Sequence, residues 1–348
     1  MKTWTPGAVL LATVALVVGT ALPAGAATTT AIAVPDAAYG VAVDLATGRA
    51  YVGTAPTDPL GEWTSSAGVA QVDAKTKKVV TSATLLTSRS VAVGFGVYDV
   101  EVNPVSNDLW VLVGSGTIDY QCGGTLYQLD KRSLKGVRRY DAGCSRTIEL
   151  DPTSRSVYLL AGSRSLYVGN DDYRPEATLV AVNGGTGAVR RVDVTSDGGW
   201  GSPGQEPVPT STAFNPRNKQ LYVGKGSTVA VYTTKLALAR TITLGRPAGS
   251  VAVNLATNQV YATDGTAVTE ISGQTNKVTR TATLSGASAA FDPRAVIDLG
   301  ANVLYLGSNT ITLNTLRLTG QQPHEVQAVD PFTHARYAIA PNNLYVDK

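Results

Sequence analysis

The chain has 348 residues, with 29 Lys and Arg against 26 Asp and Glu, a formal net charge of +3, and aromatics at only 7%. So near a balance gives no electrostatic reason to expect nucleic acid or an anionic membrane as a partner. Two cysteines and two histidines leave no zinc-ligand series, and no haem-attachment motif or phosphate loop is present.

The N-terminus opens with Lys2, continues with an apolar run over residues 7–22 and ends in Ala24-Gly25-Ala26. This is the layout of a secretory signal peptide, with cleavage expected after Ala26. A membrane anchor is the competing reading, because the run approaches the ~20 residues that span a bilayer. Small residues dilute the run, however, and no basic stop flanks it. The expected product is residues 27–348, a single exported domain with no membrane span after cleavage, carrying 28 basic and 26 acidic residues.

From Ala42 onward one unit repeats. An Asp or Asn is followed seven residues later by an aromatic at Asp44/Tyr51, Asn103/Trp110, Asp151/Tyr158, Asn215/Tyr222, Asn254/Tyr261, Asp298/Tyr305 and Asp330/Tyr337. A short strand precedes each Asp or Asn, from Val41-Ala42-Val43 to Gln327-Ala328-Val329, with an apolar residue always just before the turn. That alternation predicts a strand with a buried face. The Asp or Asn can bond forward to backbone amides, and Pro104, Pro152, Pro216 and Pro331 preset the turn.

A second hairpin follows in most units, as in residues 229–232 with 240–244. Each repeat therefore holds four antiparallel strands. The turn residues lie 59, 48, 64, 39, 44 and 32 positions apart, close to the length of a propeller blade where no insertion intervenes. The last repeat stops after three strands, and residues 30–34 look like its missing fourth. The expected fold is all-β: a seven-bladed propeller closed by an N-terminal strand in the last blade, with an open solenoid as the alternative.

Tyr51-Val52-Gly53-Thr54, Tyr222-Val223-Gly224-Lys225, Tyr261-Ala262-Thr263-Asp264 and Tyr305-Leu306-Gly307-Ser308, each after a V-A-V-[DN]-type strand, resemble the YVTN-type β-propeller repeat. The resemblance covers nearly all of residues 27–348 and departs at Trp110 and in a shortened sixth repeat. It implies a fold and a surface or envelope location; the motif carries no catalytic residue.

Cys122 and Cys144 are expected to form one disulfide in an exported protein, since both fall in connections on one face. The long connections, residues 54–68, 87–96, 115–124, 163–177 and 195–209, are second or fourth connections and predict one elaborated face over the first four blades. Binding residues concentrate on such loops. Trp63, Trp200, Asp171, Asp172 and Tyr173 stand there, suited to an extracellular glycan, peptide or protein, and the acidic pair would also suit calcium. Arg146 opens the third blade at the same face. Around the pore, Glu101 and Glu149 occupy equivalent places in neighbouring blades, with His324 at the entry to the seventh. The first reading is a monomeric, non-catalytic binding module without a cofactor or bound metal. The alternative is a lyase- or lactonase-type enzyme with a divalent cation at Glu101 and Glu149 and His324 as acid or base.

Overall fold

A computed structural model describes residues 29–34, 37–55, 66–87, 93–117, 122–162, 177–194, 211–285, 295–307, 309–322, 326–330, 333–340 and 343–347. Strand β1 (Thr29–Ala33) precedes the first blade, β2–β5 (Ala37–Asp44, Arg49–Ala55, Ser66–Asp73, Lys78–Thr87). The second is β6–β9 (Val93–Val102, Asp108–Thr117, Cys122–Asp130, Gly136–Asp141), and the third β10–β13 (Cys144–Asp151, Ser156–Gly162, Ala177–Asn183, Val189–Asp193). The fourth is β14–β17 (Ser211–Asn215, Gln220–Lys225, Thr228–Thr233, Leu238–Thr243), and the fifth β18–β21 (Ser250–Asn254, Gln259–Thr263, Ala267–Ser272, Lys277–Thr283). The sixth is β22–β25 (Ala295–Asp298, Val303–Leu306, Asn309–Thr312, Arg317–Gln321). The seventh joins β26–β28 (Val326–Val329, Arg336–Ala340, Asn343–Asp347) to β1.

The expected closure is therefore found: β1 pairs antiparallel with β28, from Thr29 opposite Asp347 to Ala33 opposite Asn343. Each first strand packs on the first strand of the next blade, and β26 packs on β2, so the ring is complete. Middle strands such as β3 and β4 are buried along nearly their whole length. Outer strands such as β9 and β13 are mostly exposed, because blades diverge away from the axis. Apolar side chains accordingly gather between blades rather than in one central core. One cluster joins Tyr51 and Val69 of the first blade to Val100 and Leu109 of the second, and another joins Tyr158 to Phe214 and Leu221.

The repeated aromatics fill these gaps. Tyr51, Trp110, Tyr158, Tyr222, Tyr261, Tyr305 and Tyr337 are all buried. Several hydroxyls find partners: Tyr51 donates to the Lys131 carbonyl at 3.0 Å, Tyr222 to Asn276 Oδ1 at 2.7 Å and Tyr261 to Glu270 at 3.2 Å. Burial pushes the Tyr158 and Tyr337 phenols up to about 12. Trp110 takes the same place with a larger ring, and its indole N–H has no partner among the described residues. Gly184 makes room for it, since a Cβ there would lie 2.6 Å from the indole.

All seven repeat Asp and Asn residues accept a backbone N–H from two or three positions on, capping the first turn. Four residues after the cap the chain enters the left-handed region, at Gly48, Arg155, Lys219, Asn258, Asn302 and His334. The geometry aims that side chain backward. Lys219 reaches Asp151 at 3.1 Å, Asn258 accepts from Asn215 at 2.7 Å, Asn302 from Asn254 at 3.3 Å, and His334 lies 2.9 Å from Asp298. Lys131, from the second blade's third turn, reaches Asp44 at 3.1 Å. A belt of contacts thus links blades along the turn face. At the seam between the seventh and first blades the corresponding residue is Gly48, which has no side chain, and β1 bridges the ends instead.

Candidate functional site

The seven first strands run from the loop face toward the turn face and enclose a channel of about 660 Å³. Its walls are largely apolar on the fourth to first blades, with Ala213, Val253, Ile297 and Val43 among the lining, and Leu45, Leu255 and Leu299 rim the turn-face mouth. Glu101 and Glu149 line the opposite wall, as expected, at the place where the other blades carry Ala42, Ala213, Ala252, Val296 and Ala328. Each stands opposite its blade's aromatic across the first hairpin, Glu101 opposite Trp110 and Glu149 opposite Tyr158.

Inner strands are sheet edges, so their channel-side N–H groups need acceptors that no neighbouring strand supplies. The preceding blade provides them from side chains. Ile148 N–H donates to Asp99 Oδ2 at 2.7 Å, and Phe214 N–H to Glu149 Oε2 at 3.0 Å. Val251 N–H donates to Ser211 Oγ at 2.9 Å, and Ala295 N–H to Ser250 Oγ at 3.1 Å. Glu149 therefore spends one oxygen on blade-to-blade contact, so its carboxylate is partly structural. Asp99, Ser211 and Ser250 share one sequence position, four residues before the cap. The polar residue at that position is visible in the sequence, but the contact it makes follows only from the offset between two neighbouring sheets.

Among the described residues no three Asp, Glu, His or Cys side chains come together as a metal site. His324 lies outside the described residues, as do Trp63, Asp171, Asp172, Tyr173 and Trp200. Arg146 lies within β10, but its side chain is not described. The other histidine, His334, sits on the turn face against Asp298.

Residues 56–65, 88–92, 118–121, 163–176 and 195–210 lie outside the described residues. The strand ends that flank them are Ala55 and Ser66, Thr87 and Val93, Thr117 and Cys122, Gly162 and Ala177, and Asp193 and Ser211. These belong to second and third strands or to successive blades, and lie at the ends of the blades away from the capped turns. The expectation that long connections stop at the fourth blade is corrected: β21 ends at Thr283 and β22 begins at Ala295, a further long connection from the fifth blade. Its Ser, Gly and Ala content carries little of the polarity that marks the others. Cys122 opens β8 and Cys144 opens β10, both at this face. Their neighbourhoods meet, since Ala142 N–H donates to the Gly124 carbonyl at 2.9 Å.

On the opposite face two buried carboxylates, Asp108 and Asp151, are held below their usual range. Burial alone would raise the Asp108 carboxyl, but Arg155, Ser106 and Gln128 outweigh it and hold it below the usual range. Arg155 makes a two-pronged contact there, 2.8 Å from Nε and 2.9 Å from Nη2. Asp151 is likewise low: burial raises it, and the hydroxyls of Thr153 and Ser154 together with the Lys219 ammonium more than offset that. The arrangement is a closed ring whose capped first turns share one face. Compared with models of known families and with curated proteins, the chain matches none at a significant level, so the fold and these residues are the basis for reading its function.

Proposed function

We propose that the protein is an exported binding propeller of the YVTN-repeat type, which recognises an extracellular or cell-envelope ligand through the loops of blades one to four. The observation that carries this reading is the asymmetry of the two faces. Every described first turn is tight and capped by its own Asp or Asn, while the strand ends that flank the long stretches of sequence are at the opposite ends of the blades. Loops on a rigid scaffold are the usual place for recognition. Trp63, Trp200 and Tyr173, with Asp171 and Asp172, would supply aromatic anchors and carboxylates suited to a glycan or peptide, and calcium at the acidic pair would fit the same chemistry. The signal-like segment over residues 1–26 supports export, and the approach of the strands bearing Cys122 and Cys144 supports a disulfide between them.

The test is a binding screen of the exported protein against glycan and peptide arrays. It is repeated with residues 164–175 and 196–208 each replaced by a short Gly-Ser turn. The expected result is loss of the bound class on shortening either loop, with an unchanged melting temperature. Binding that survives both replacements would remove the loop face from consideration. Peptide mapping without reductant should recover Cys122 linked to Cys144; two free thiols would contradict the oxidising compartment.

A further inference from the structure

Four consecutive blades carry an arginine at one structural position. In the register of each sheet, Trp110, Gln128 and Arg138 lie in a row across the second, third and fourth strands. The same row holds Tyr158, Ala181 and Arg190, then Tyr222, Val231 and Arg240, then Tyr261, Glu270 and Arg280. Three of these arginines reach to the next blade and donate to carbonyls of its third turn. Arg138 donates to Gly184 O at 3.1 Å and Gly185 O at 3.2 Å, and Arg240 to Thr275 O at 3.1 Å. Arg280 donates to Leu313 O and Asn314 O.

Arg190 is the exception. The third turn facing it carries Thr234 and Lys235, so a second cation stands near the place where the other three blades offer an acceptor. Like charges do not close on one another, and a notch of about 370 Å³ stays open between the third and fourth blades. Lys219 forms its floor, fixed by Asp151 Oδ1 at 3.1 Å and by the Thr153 hydroxyl. Asp151 is the one carboxylate lining the notch, and it is consumed by the hydroxyls of Thr153 and Ser154 and by Lys219. Arg190 and Lys235 have no carboxylate partner among the described residues. Ser156, Tyr158 and Thr234 complete the lining.

We propose that this notch is an anion site for a phosphate group, which bridges Arg190, Lys219 and Lys235 where the other three arginines bond a turn carbonyl. A doubly charged tetrahedral oxyanion matches the surplus of two cations and offers oxygens to several donors at once. The notch is larger than a bare oxyanion needs, which leaves room for the group esterified to it. The site lies on the turn face, opposite the loops, and does not rest on their function.

The experiment titrates inorganic phosphate and glycerol phosphate into the full exported protein, against chloride at matched ionic strength. Binding is read by calorimetry and by the shift in melting temperature. Both phosphates should raise the melting temperature where chloride does not. Arg190→Ala and Lys235→Ala should each weaken binding by about tenfold, the loss of one charge-assisted contact. Both side chains are exposed, so neither variant should misfold. Arg240→Ala is the control: it removes a blade-to-blade tie and should leave phosphate binding unchanged. Tighter binding of glycerol phosphate assigns an ester as the ligand; tighter binding of inorganic phosphate assigns the free ion. The proposal is overturned if phosphate acts no differently from chloride, or if both variants bind as well as the parent.

Discussion

At the scale of single residues, the repeated aromatic does two jobs that substitution can separate. Tyr222 is fully buried between the fourth and fifth blades, and its hydroxyl also accepts from Asn218 at 2.8 Å while donating to Asn276. Tyr222→Ala should cost roughly 3–5 kcal/mol, since a rigid gap between two sheets cannot collapse to fill the cavity. Tyr222→Phe should cost about 1–2 kcal/mol, the value of the hydroxyl and of the Asn276 carbonyl oxygen it leaves unpaired. Chemical denaturation of the two variants measures both. Equal losses would mean that the ring itself contributes little. Trp110 shows the opposite compromise, a larger ring gained at the expense of an indole N–H without a partner among the described residues.

At the scale of the element, the closing strand is the most exposed dependency. Its deletion, residues 27–34, would leave β28 as an unpaired edge and remove Ile32 and Val34 from the cluster shared by the seventh and first blades. Aggregation or a large loss of stability is expected. A truncated chain that stays monomeric with an unchanged melt would show that the seam is held elsewhere. This closure was legible because every blade makes the same demand for a fourth strand, so three strands at one end and a spare at the other have one economical pairing. The caps and buried aromatics were legible for the same reason. The contacts from Asp99, Ser211 and Ser250 to the next blade were not, because they depend on how two sheets are offset. No local pattern encodes that offset. The row of arginines was equally hidden, since it appears only once register across three strands is known. Residues on the long connections, such as Trp63, Asp171 and Trp200, have no repeat to place them and lie outside the described residues.

At the scale of the whole molecule, the carboxylates between blades make stability depend on pH with a definite sign. Asp108 and Asp151 are held below their ordinary 3.8 and Glu270 below its ordinary 4.5. For Glu270 burial opposes the shift, and Arg280 and Thr279 overcome it. Below those ordinary values the unfolded chain takes up protons more readily than the folded one. The stabilisation is therefore complete above about pH 5 and is lost as pH falls through the lower folded values. Melting temperature should be nearly flat from about pH 5 to 7 and fall below pH 4, less steeply in Asp151→Asn. A melt that rises on acidification would reverse the assigned sign. In the pair of Lys219 with Asp151 the carboxylate is buried but the ammonium is half-exposed and screened by solvent, so no single pair dominates and the acid effect comes from the set acting together.

The pairing of β1 with β28 also sets how the ring bears force. Thr29 and Asp347 are neighbours at the same end of their ladder. A load applied between them pulls the two strands apart from that end, so the rungs break one after another, as in a zipper. Shear would have made all of them resist together. Tension across both ends would thus open the ring at its seam, the joint where Gly48 supplies no side chain. Held by one end alone, the same molecule would carry no load through that joint. Its anchoring geometry, more than its total stability, decides whether it survives being stretched.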